Sequence, residues 1–309
     1  MTGATMKLEH VLESQQFTVP LLMALFERTQ QMERIIARGG TRDYAGKIMA
    51  TLFYEPSTRT RFSFEAAMYR LGGRVLSAEH AEVFSSAVDG GPLEDTIRSI
   101  APFCDVIVLR PPEEGGARRA ARVSSVPVIN AGDGSSGQHP TQALVDLYTI
   151  YRERRSLDGL TIAIVGELDG GRTARSLAYL LSKFARVKIH FVSPPEVQMR
   201  PDILAHLDEH EVWYDVRHDV GPIAGAVDVI YQTRIRPDRV ADRAALSRYT
   251  IDARLLQTMK PDAMILHPLP RTVEIEKDVD DDPRALYFAQ AANSLAVRMA
   301  LLTLLWDRV

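Results

Sequence analysis

One short segment places hydroxyl and guanidinium groups where an apolar, strand-like run ends and a helical pattern begins. The apolar run covers residues 48–54, and Pro56 stops it. The first N–H groups of a helix have no intrahelical partner and carry partial positive charge, so a helix start binds anions. Hydroxyl and guanidinium donors suit phosphate oxygens. We therefore predict a phosphate site at Ser57, Thr58, Arg59 and Thr60.

Helix capping is the alternative explanation for this segment, since serine and threonine before a helix are ordinary capping residues. Capping alone requires neither Arg59 nor Arg61, however, and both cations lie within the first helical turn. The sequence therefore favours an anion site over a simple cap.

Further polar residues follow other apolar runs of the chain. Because ligands of open parallel sheets bind outside the carboxyl ends of the strands, several polar residues at such ends predict a shared cleft. Besides the phosphate segment, the residues at these positions are Arg110, Arg172, Arg234 and His267.

The elements that must position these residues alternate along the chain. Such alternation predicts an α/β protein with two domains, each a parallel sheet flanked by helices. A glycine-rich stretch at 132–137 marks the junction. We predict strands near 47–53, 74–78, 105–109, 127–130, 160–165, 187–192, 211–215, 227–231 and 263–266, and helices near 59–71, 93–102, 114–122, 141–154, 172–185, 201–209, 252–258 and 291–306.

Composition limits the class of protein. The 309 residues, 46% of them hydrophobic and 25% charged, suffice for two domains with separate cores. A net charge of −3 gives no reason to expect nucleic acid or an acidic membrane as a partner. The single cysteine excludes an intramolecular disulfide. Because the N-terminus has no apolar core and no run reads as a membrane span, we expect a cytoplasmic enzyme.

Three separate motifs resemble one known family. Residues 53–65 read Phe-Tyr-Glu-Pro-Ser-Thr-Arg-Thr-Arg-Phe-Ser-Phe-Glu, residues 137–142 read Gly-Gln-His-Pro-Thr-Gln, and residues 267–271 read His-Pro-Leu-Pro-Arg. Together they resemble the aspartate and ornithine carbamoyltransferase family over nearly the whole chain. The third motif is typical of the aspartate-specific members, because ornithine enzymes usually have a Cys-Leu-Pro form there.

The resemblance implies transfer of a carbamoyl group from carbamoyl phosphate to L-aspartate, a step of pyrimidine synthesis, in a cleft between the domains, with no metal or cofactor. It implies a carbamoyl-phosphate-binding domain at 1–138 plus 291–309 and an amino-acid-binding domain at 139–290. It also implies a homotrimer with shared active sites, to which regulatory or dihydroorotase chains can bind.

The resemblance also assigns roles to individual residues. Arg59, Thr60, Arg110 and His139 would be catalytic. Arg172 and Arg234 would bind the carboxylates of the amino acid, and Leu269 and Pro270 would orient its amine. Glu55 and Arg239 would act in domain closure together with Arg172. The carbamoyl-phosphate ligands would be Ser57, Thr58, Arg59, Thr60, Arg110, His139 and Gln142.

The chain departs from the family pattern on the amino-acid side. A loop that carries a serine and a lysine in the family contains Ser85 here, but Asp89 stands in the place of the lysine. Arg236 stands in the place of a glutamine. Reversed charge in a desolvated site costs several kcal/mol unless it is compensated, roughly 3–5 by analogy with a broken buried pair. Arg236 could replace the lost charge or pair with Asp89.

Three hypotheses follow from this departure. The first is an aspartate-specific enzyme with a compensated or weakened loop, and the second is a carbamoyltransferase for another amino acid or amine. The third is a non-catalytic homologue that serves as a structural or regulatory subunit. The complete set of carbamoyl-phosphate ligands argues against the third hypothesis, and the motif at 267–271 with Arg172 and Arg234 favours the first.

Overall fold

The structure is a computed structural model that describes residues 8–79, 91–134 and 136–307. The chain divides into two compact units. The first unit comprises Met1–Gln142 and Asn293–Val309, and the second comprises Ala143–Ala292.

The first unit contains a four-stranded parallel sheet with the strand order β2-β1-β3-β4. Strand β1 lies inside the sheet, and its last five residues are buried. Strand β2 is an edge strand and is largely exposed. The helices and strands of the first unit are α1 (Val19–Ala37), β1 (Ile48–Phe53), α2 (Thr58–Arg70), β2 (Arg74–Glu79), α3 (Leu93–Ile100), β3 (Val106–Arg110), α4 (Gly116–Val123) and β4 (Val128–Asn130).

The second unit contains a five-stranded parallel sheet with the order β7-β6-β5-β8-β9. Strand β5 is central, and its side chains are almost all buried, as expected for a parallel strand covered on both faces. The helices and strands of the second unit are β5 (Thr161–Val165), α6 (Arg172–Leu181), β6 (Lys188–Val192), α7 (Pro201–Glu209), β7 (Trp213–Arg217), β8 (Val229–Gln232), α8 (Ala253–Thr258) and β9 (Met264–Leu266).

Two long helices belong to both units, because the unit boundaries fall inside them. They are α5 (Pro140–Arg154) and α9 (Tyr287–Trp306). By length and composition α9 could cross a membrane, which corrects the expectation that no run of the sequence does so. Two thirds of its apolar window (67%) is buried within the protein, however, and α9 also contains the buried polar residues Gln290 and Arg298. These properties are those of a core helix in a globular protein.

The predicted fold class is confirmed, since both sheets are parallel and flanked by helices. The sequence analysis missed α1, which the Thr18 side chain caps by accepting a hydrogen bond from the Leu21 amide. Helix α1 precedes the first strand, so strand–helix alternation gave no signal for it. Helix α9 also begins earlier than predicted, at Tyr287 rather than residue 291.

Candidate functional site

The phosphate segment lies at the point where the strand order of the first sheet reverses. The chain passes from β1 to β2 on one side and then returns to β3 on the other side of β1. A crevice forms outside the strand ends at such a switch point, and ligands of open α/β sheets bind there. Phe53 at the end of β1 is in register with Arg110 at the end of β3, so the segment after β1 begins beside Arg110.

The start of α2 is not capped by Ser57, whose side chain makes no capping hydrogen bond. The first intrahelical bond runs from the Arg61 amide to the Ser57 carbonyl at 3.0 Å, so the amides before Arg61 precede the helical ladder. Thr58 and Arg59 are exposed, whereas Thr60 is buried. A side-chain cap by Ser57 therefore does not explain this segment, and the anion site stays a prediction.

The two arginines of the segment differ in their surroundings. Arg61 donates to Glu79 at 2.7 Å and to the Ser77 hydroxyl at 3.1 Å, and it lies 3.7 Å from Glu65. Its presence is therefore explained by pairing within the fold. For Arg59, desolvation lowers the pKa, yet an arginine stays charged at neutral pH. Within the described ranges no carboxylate pairs with Arg59, so its charge is available for an anion.

Arg110 is held at the end of β3 by a neighbouring carboxylate. Its Nη2 and Nε atoms lie 3.2 and 3.3 Å from Glu55 Oε2, and Nη1 donates to the Ala131 carbonyl at 3.4 Å. The Arg110 side chain is 11% exposed. Glu55, predicted to act in domain closure, is thus the partner of a predicted catalytic residue within the same unit.

His139 and Gln142 lie at the start of α5, after a loop that is fixed by buried contacts. The buried His139 has its Nδ1 3.3 Å from the Thr141 hydroxyl, and its carbonyl accepts from the Gln142 amide at 3.1 Å. Asp133 accepts from the Gly115 amide at 2.9 Å, and burial raises its pKa. Gly137 is required here, because a Cβ would lie 1.9 Å from the Asp133 carbonyl oxygen.

The buried Arg298 contacts the phosphate segment through the Thr60 backbone, and the sequence analysis missed this residue. Its buried guanidinium lies 4.6 Å from the centroid of the Phe64 ring and donates to the Thr60 carbonyl at 3.3 Å. A desolvated cation–π contact of this kind contributes about 2 kcal/mol. The signal in the sequence was a single charged residue within a largely apolar helix.

In the second unit, Arg172 and Arg234 also follow strands on either side of a switch point. Strand β5 is paired with β6 on one side and with β8 on the other, and Arg172 and Arg234 follow β5 and β8. The Glu167 amide donates to the Arg234 carbonyl at 3.1 Å, which ties the two loops together. Arg172 is half-buried and begins α6, whereas Arg234 is exposed. This edge of the sheet is suited to a dicarboxylic ligand.

A carboxylate pair organises the other two arginines of this edge. Glu167 accepts from Arg236 Nη2 at 3.1 Å and from Arg239 Nη1 at 3.3 Å, and Asp169 accepts from Arg239 Nη2 at 2.6 Å. Arg236 therefore has a partner on its own edge of the sheet. The predicted residues Ser85 and Asp89 lie outside the described residues, so both alternatives for Arg236, replacement of the lost charge and pairing with Asp89, stay predictions.

His267 fixes the turn that contains Leu269 and Pro270. Its Nδ1 accepts from the Leu269 amide at 2.7 Å, so its Nε2 carries the proton and donates to Glu274 Oε1 at 2.9 Å. Burial raises the pKa of Glu274, but hydrogen bonds from His267 and Thr272 outweigh it and lower the pKa overall. Leu269 has a φ of 52°, and its peptide bond to Pro270 is cis.

A chain of buried side chains connects this turn with the start of α6, and the sequence analysis missed it. The Gln290 Oε1 atom accepts from the His267 amide at 2.8 Å, and its Nε2 donates to Asp146 Oδ1 at 2.6 Å. Tyr231 donates to Asp146 Oδ2 at 2.7 Å and accepts from Thr173, next to Arg172. Such a satisfied network holds both loops of the edge in one arrangement.

Comparisons with known proteins match both units. The family model for the aspartate/ornithine carbamoyltransferase carbamoyl-P binding domain matches residues 9–152, and the model for the Asp/Orn binding domain matches residues 158–305. An aspartate carbamoyltransferase from Oryza sativa subsp. japonica is 51% identical over 98% of this chain and 86% of the relative. The one from Arabidopsis thaliana is 52% identical over 97% of this chain and 78% of the relative.

A solved structure agrees with these sequence matches. The aspartate transcarbamoylase of Trypanosoma cruzi in complex with carbamoyl phosphate and aspartate superimposes with a TM-score of 0.90 at 38% identity. The match covers 96% of this chain and 95% of the other.

The predicted cytoplasmic location is wrong by this comparison. The rice and Arabidopsis relatives are both named as chloroplastic enzymes. The prediction depended on the lack of an apolar N-terminal core. Chloroplast transit peptides have no such core, because they are amphipathic and rich in serine and arginine, so its absence does not indicate the cytoplasm.

Proposed function

This chain belongs to the aspartate/ornithine carbamoyltransferase family, and from that premise we propose that it transfers the carbamoyl group of carbamoyl phosphate to the α-amino group of L-aspartate. The products are N-carbamoyl-L-aspartate and phosphate, and the reaction is a step of pyrimidine synthesis. The observation that carries the proposal is the placement of two sets of cationic side chains at the switch points of the two sheets, Arg59 with Arg110 and Arg172 with Arg234.

The first unit would bind the donor. We assign the phosphate group to the start of α2, where Ser57, Thr58, Arg59 and Thr60 meet uncapped amide groups, and to Arg110. Thr60, Arg110 and His139 would donate to the carbonyl oxygen, whose negative charge grows as the tetrahedral intermediate forms. One preorganised donor of this type lowers the activation barrier by about 3 kcal/mol. Gln142 would hold the carbamoyl NH2 group.

The second unit would bind aspartate. Arg172 and Arg234 would each pair with a carboxylate, since a guanidinium can bind a carboxylate through two parallel hydrogen bonds. The backbone at Leu269 and Pro270 would orient the amine, and the His267–Glu274 pair keeps this turn in place. Arg236 would act indirectly, by sharing Glu167 with Arg239.

The transfer itself would need no covalent enzyme intermediate. The amine attacks the carbonyl carbon, the C–N bond forms, and the C–O bond to phosphate breaks when the tetrahedral intermediate collapses. The departing phosphate is basic and accepts a proton of the ammonium group, so that the protein need not supply a base. The contribution of the protein is to place the two substrates and to stabilise the charge.

Glu55 and Arg239 would act when the enzyme closes on its substrates, as the family resemblance implies. Within their own units Glu55 binds Arg110, and Arg239 binds Glu167 and Asp169. Closure would exchange these pairs for new ones and exclude water from the reaction.

We also propose a homotrimer with shared active sites. Support comes from large apolar side chains that the first unit exposes, at Phe62, Tyr69, Leu76 and Phe103. Leu76 lies on the edge strand β2, where an uncovered strand invites a partner. The same resemblance allows regulatory or dihydroorotase chains to bind. Sedimentation equilibrium of the purified protein should give three times the chain mass, and a monomer would contradict the proposal.

Phosphate release from carbamoyl phosphate tests the proposed reaction. The purified protein should release phosphate saturably with L-aspartate and should form N-carbamoyl-L-aspartate in equal amount. L-Asparagine is the matched comparison, because it lacks only the charge of the side-chain carboxylate that we assign to an arginine. Equal turnover of both amino acids, or turnover of ornithine alone, would refute the assignment of aspartate.

A further inference from the structure

Three potential metal ligands share one face at the end of α7. His206, Glu209 and His210 have the spacing i, i+3 and i+4, which brings side chains of a helix together. Each of the three offers one ligand atom within 4.8 Å of the others. The centroids of the two imidazole rings lie 4.0 Å apart.

The hydrogen bonds of the two imidazoles determine which ring nitrogens have lone pairs. A hydroxyl group has a single hydrogen, and Ser182 donates it to the Tyr179 carbonyl at 2.9 Å. Ser182 therefore accepts from His206 Nε2 at 3.0 Å, which leaves the lone pair on His206 Nδ1. His210 Nδ1 donates to the His206 carbonyl at 2.8 Å, which leaves the lone pair on His210 Nε2.

Both histidines therefore share one feature with metal-bound histidines. A ligating imidazole donates its other N–H to a carbonyl or another oxygen, and this bond fixes the tautomer and the orientation of the ring. His206 is also held by an edge-on contact with Tyr179, with the centroids 4.6 Å apart.

Packing explains only part of the cluster. His206 is half-buried against Tyr179 and Ser182, as an ordinary packing residue would be. Glu209 and His210 are exposed, and packing gives no reason for a carboxylate and a second imidazole beside the first. Two imidazoles and one carboxylate form a ligand set that suits Zn²⁺ and the neighbouring divalent transition metals.

We propose that His206, Glu209 and His210 form a surface site for a divalent transition-metal ion, with Zn²⁺ as the best fit and water in the remaining positions. The site lies at the end of α6 opposite to Arg172, because Tyr179 and Ser182 close that helix. Seven to ten residues of helix correspond to roughly 10–15 Å along the axis. The inference is therefore independent of the proposed carbamoyl transfer.

Calorimetric titration with ZnCl2 tests the site in protein that a chelator has freed of metal. We expect the wild-type protein to bind Zn²⁺ and both His210→Gln and Glu209→Gln to bind it at least about 10-fold more weakly. His218→Gln is the matched control, because His218 is also exposed and also bonds a carbonyl, that of Ser193, through Nδ1 at 2.8 Å. This control should bind Zn²⁺ as the wild type does.

A second measurement separates ligation from a general effect on the fold. Co²⁺ in place of Zn²⁺ should give visible d–d absorption in the wild type and in His218→Gln, but not in His210→Gln. All variants should keep the wild-type circular dichroism and the wild-type rate of phosphate release, since none lies in the proposed substrate sites. Equal Zn²⁺ affinity of the wild type and His210→Gln would overturn the proposal, whatever the outcome for carbamoyl transfer.

Discussion

Arg59 and Arg236 both lie beyond the carboxyl end of a strand at a switch point, yet the two units hold them differently. Desolvation lowers the pKa of Arg59. Among the described residues, no carboxylate pairs with this arginine. Arg236 shares the carboxylate of Glu167 with Arg239. Arg59 thus has no carboxylate partner within the described part of its unit, whereas the charge of Arg236 is neutralised by a carboxylate of its own unit.

This difference has a consequence for the two substrates. A phosphate that binds beside Arg59, as proposed, would displace no carboxylate of the described residues from that arginine, so this part of the donor site is preorganised. A dicarboxylate that binds near Arg234 meets an edge whose neighbouring charges, Arg236, Arg239, Glu167 and Asp169, already balance one another. The acceptor side should therefore respond to changes in that balance, and the donor side should not.

The largest expected effect is on the donor side. Arg59→Ala should lower kcat/KM for carbamoyl phosphate by about 10²- to 10³-fold, because it removes a preorganised charge from the phosphate and from the developing negative charge. Arg61→Ala is the matched control in the same helical turn. Because Arg61 is paired with Glu79 and Glu65, its loss should cost about 1 kcal/mol of stability and leave the donor KM nearly unchanged.

Steady-state kinetics and thermal unfolding of both variants provide the test. An Arg59→Ala enzyme with wild-type donor kinetics would remove the basis of the comparison. Loss of donor binding in Arg61→Ala at normal stability would show that the two arginines have the same role.

The next largest effect concerns the network of buried side chains in the second unit. Asp146→Ala leaves the Tyr231 hydroxyl and the Gln290 amide without their shared partner in the core. Each unpaired buried group costs about 1–3 kcal/mol, so we expect a total loss of about 3 kcal/mol. Tyr231→Phe removes the hydrogen bonds of this hydroxyl to Asp146 and from Thr173 but keeps the bond between Gln290 and Asp146, and it should cost less.

Urea unfolding monitored by circular dichroism measures both variants. The network of buried hydrogen bonds extends to Thr173 and His267. Asp146→Ala should therefore also raise the aspartate KM at urea concentrations at which this variant is folded. A variant with normal stability and normal kinetics would show that the network has no positioning role.

A smaller effect probes the charge balance directly. Glu167→Gln frees Arg236 and weakens the hold on Arg239, and we expect the aspartate KM to change by about 10-fold while the donor KM stays constant. A change of that size corresponds to about 1.4 kcal/mol of binding free energy. Asp169→Asn leaves the pairs of Arg236 intact and should change the aspartate KM less. An equal change in the donor KM would contradict the proposed division of labour.

Much of the fold could be predicted from the sequence, for a physical reason. Strands of parallel sheets are buried on both faces, so they are continuous apolar runs, and the intervening helices have their own period. The runs at 47–53 and 160–165 therefore correspond to β1 and β5. Helix α1 lies before this alternation, and its buried face begins at Leu21 without a strand before it.

The candidate site was predictable where neighbouring residues carry the chemistry. Residues 57–60, which we propose to bind phosphate, lie at a helix start that is local in the chain, so their pattern is visible in the sequence. The structural partners were not, because they are distant in sequence: Arg298 contacts Thr60 across 238 positions, and Gln290 contacts Asp146 across 144. The pairing of Arg236 with Glu167 also escaped prediction, since the loops that carry them are 69 positions apart.

The smallest effect is a pH dependence on the acceptor side. The pKa of Glu274 is lowered from 4.5 in the fold, so its ionised form contributes stability that is present above pH 4.5 and is lost as the pH falls through the folded-state pKa. Glu274→Gln should unfold more easily than the wild type at neutral pH, and this difference should shrink as the pH falls below 4.5. Glu276→Gln, an exposed neighbour, is the control and should follow the wild-type curve. Unfolding midpoints across this range decide the matter, because a difference that persists at low pH would show that shape, and not the charge beside His267, holds the turn at Leu269.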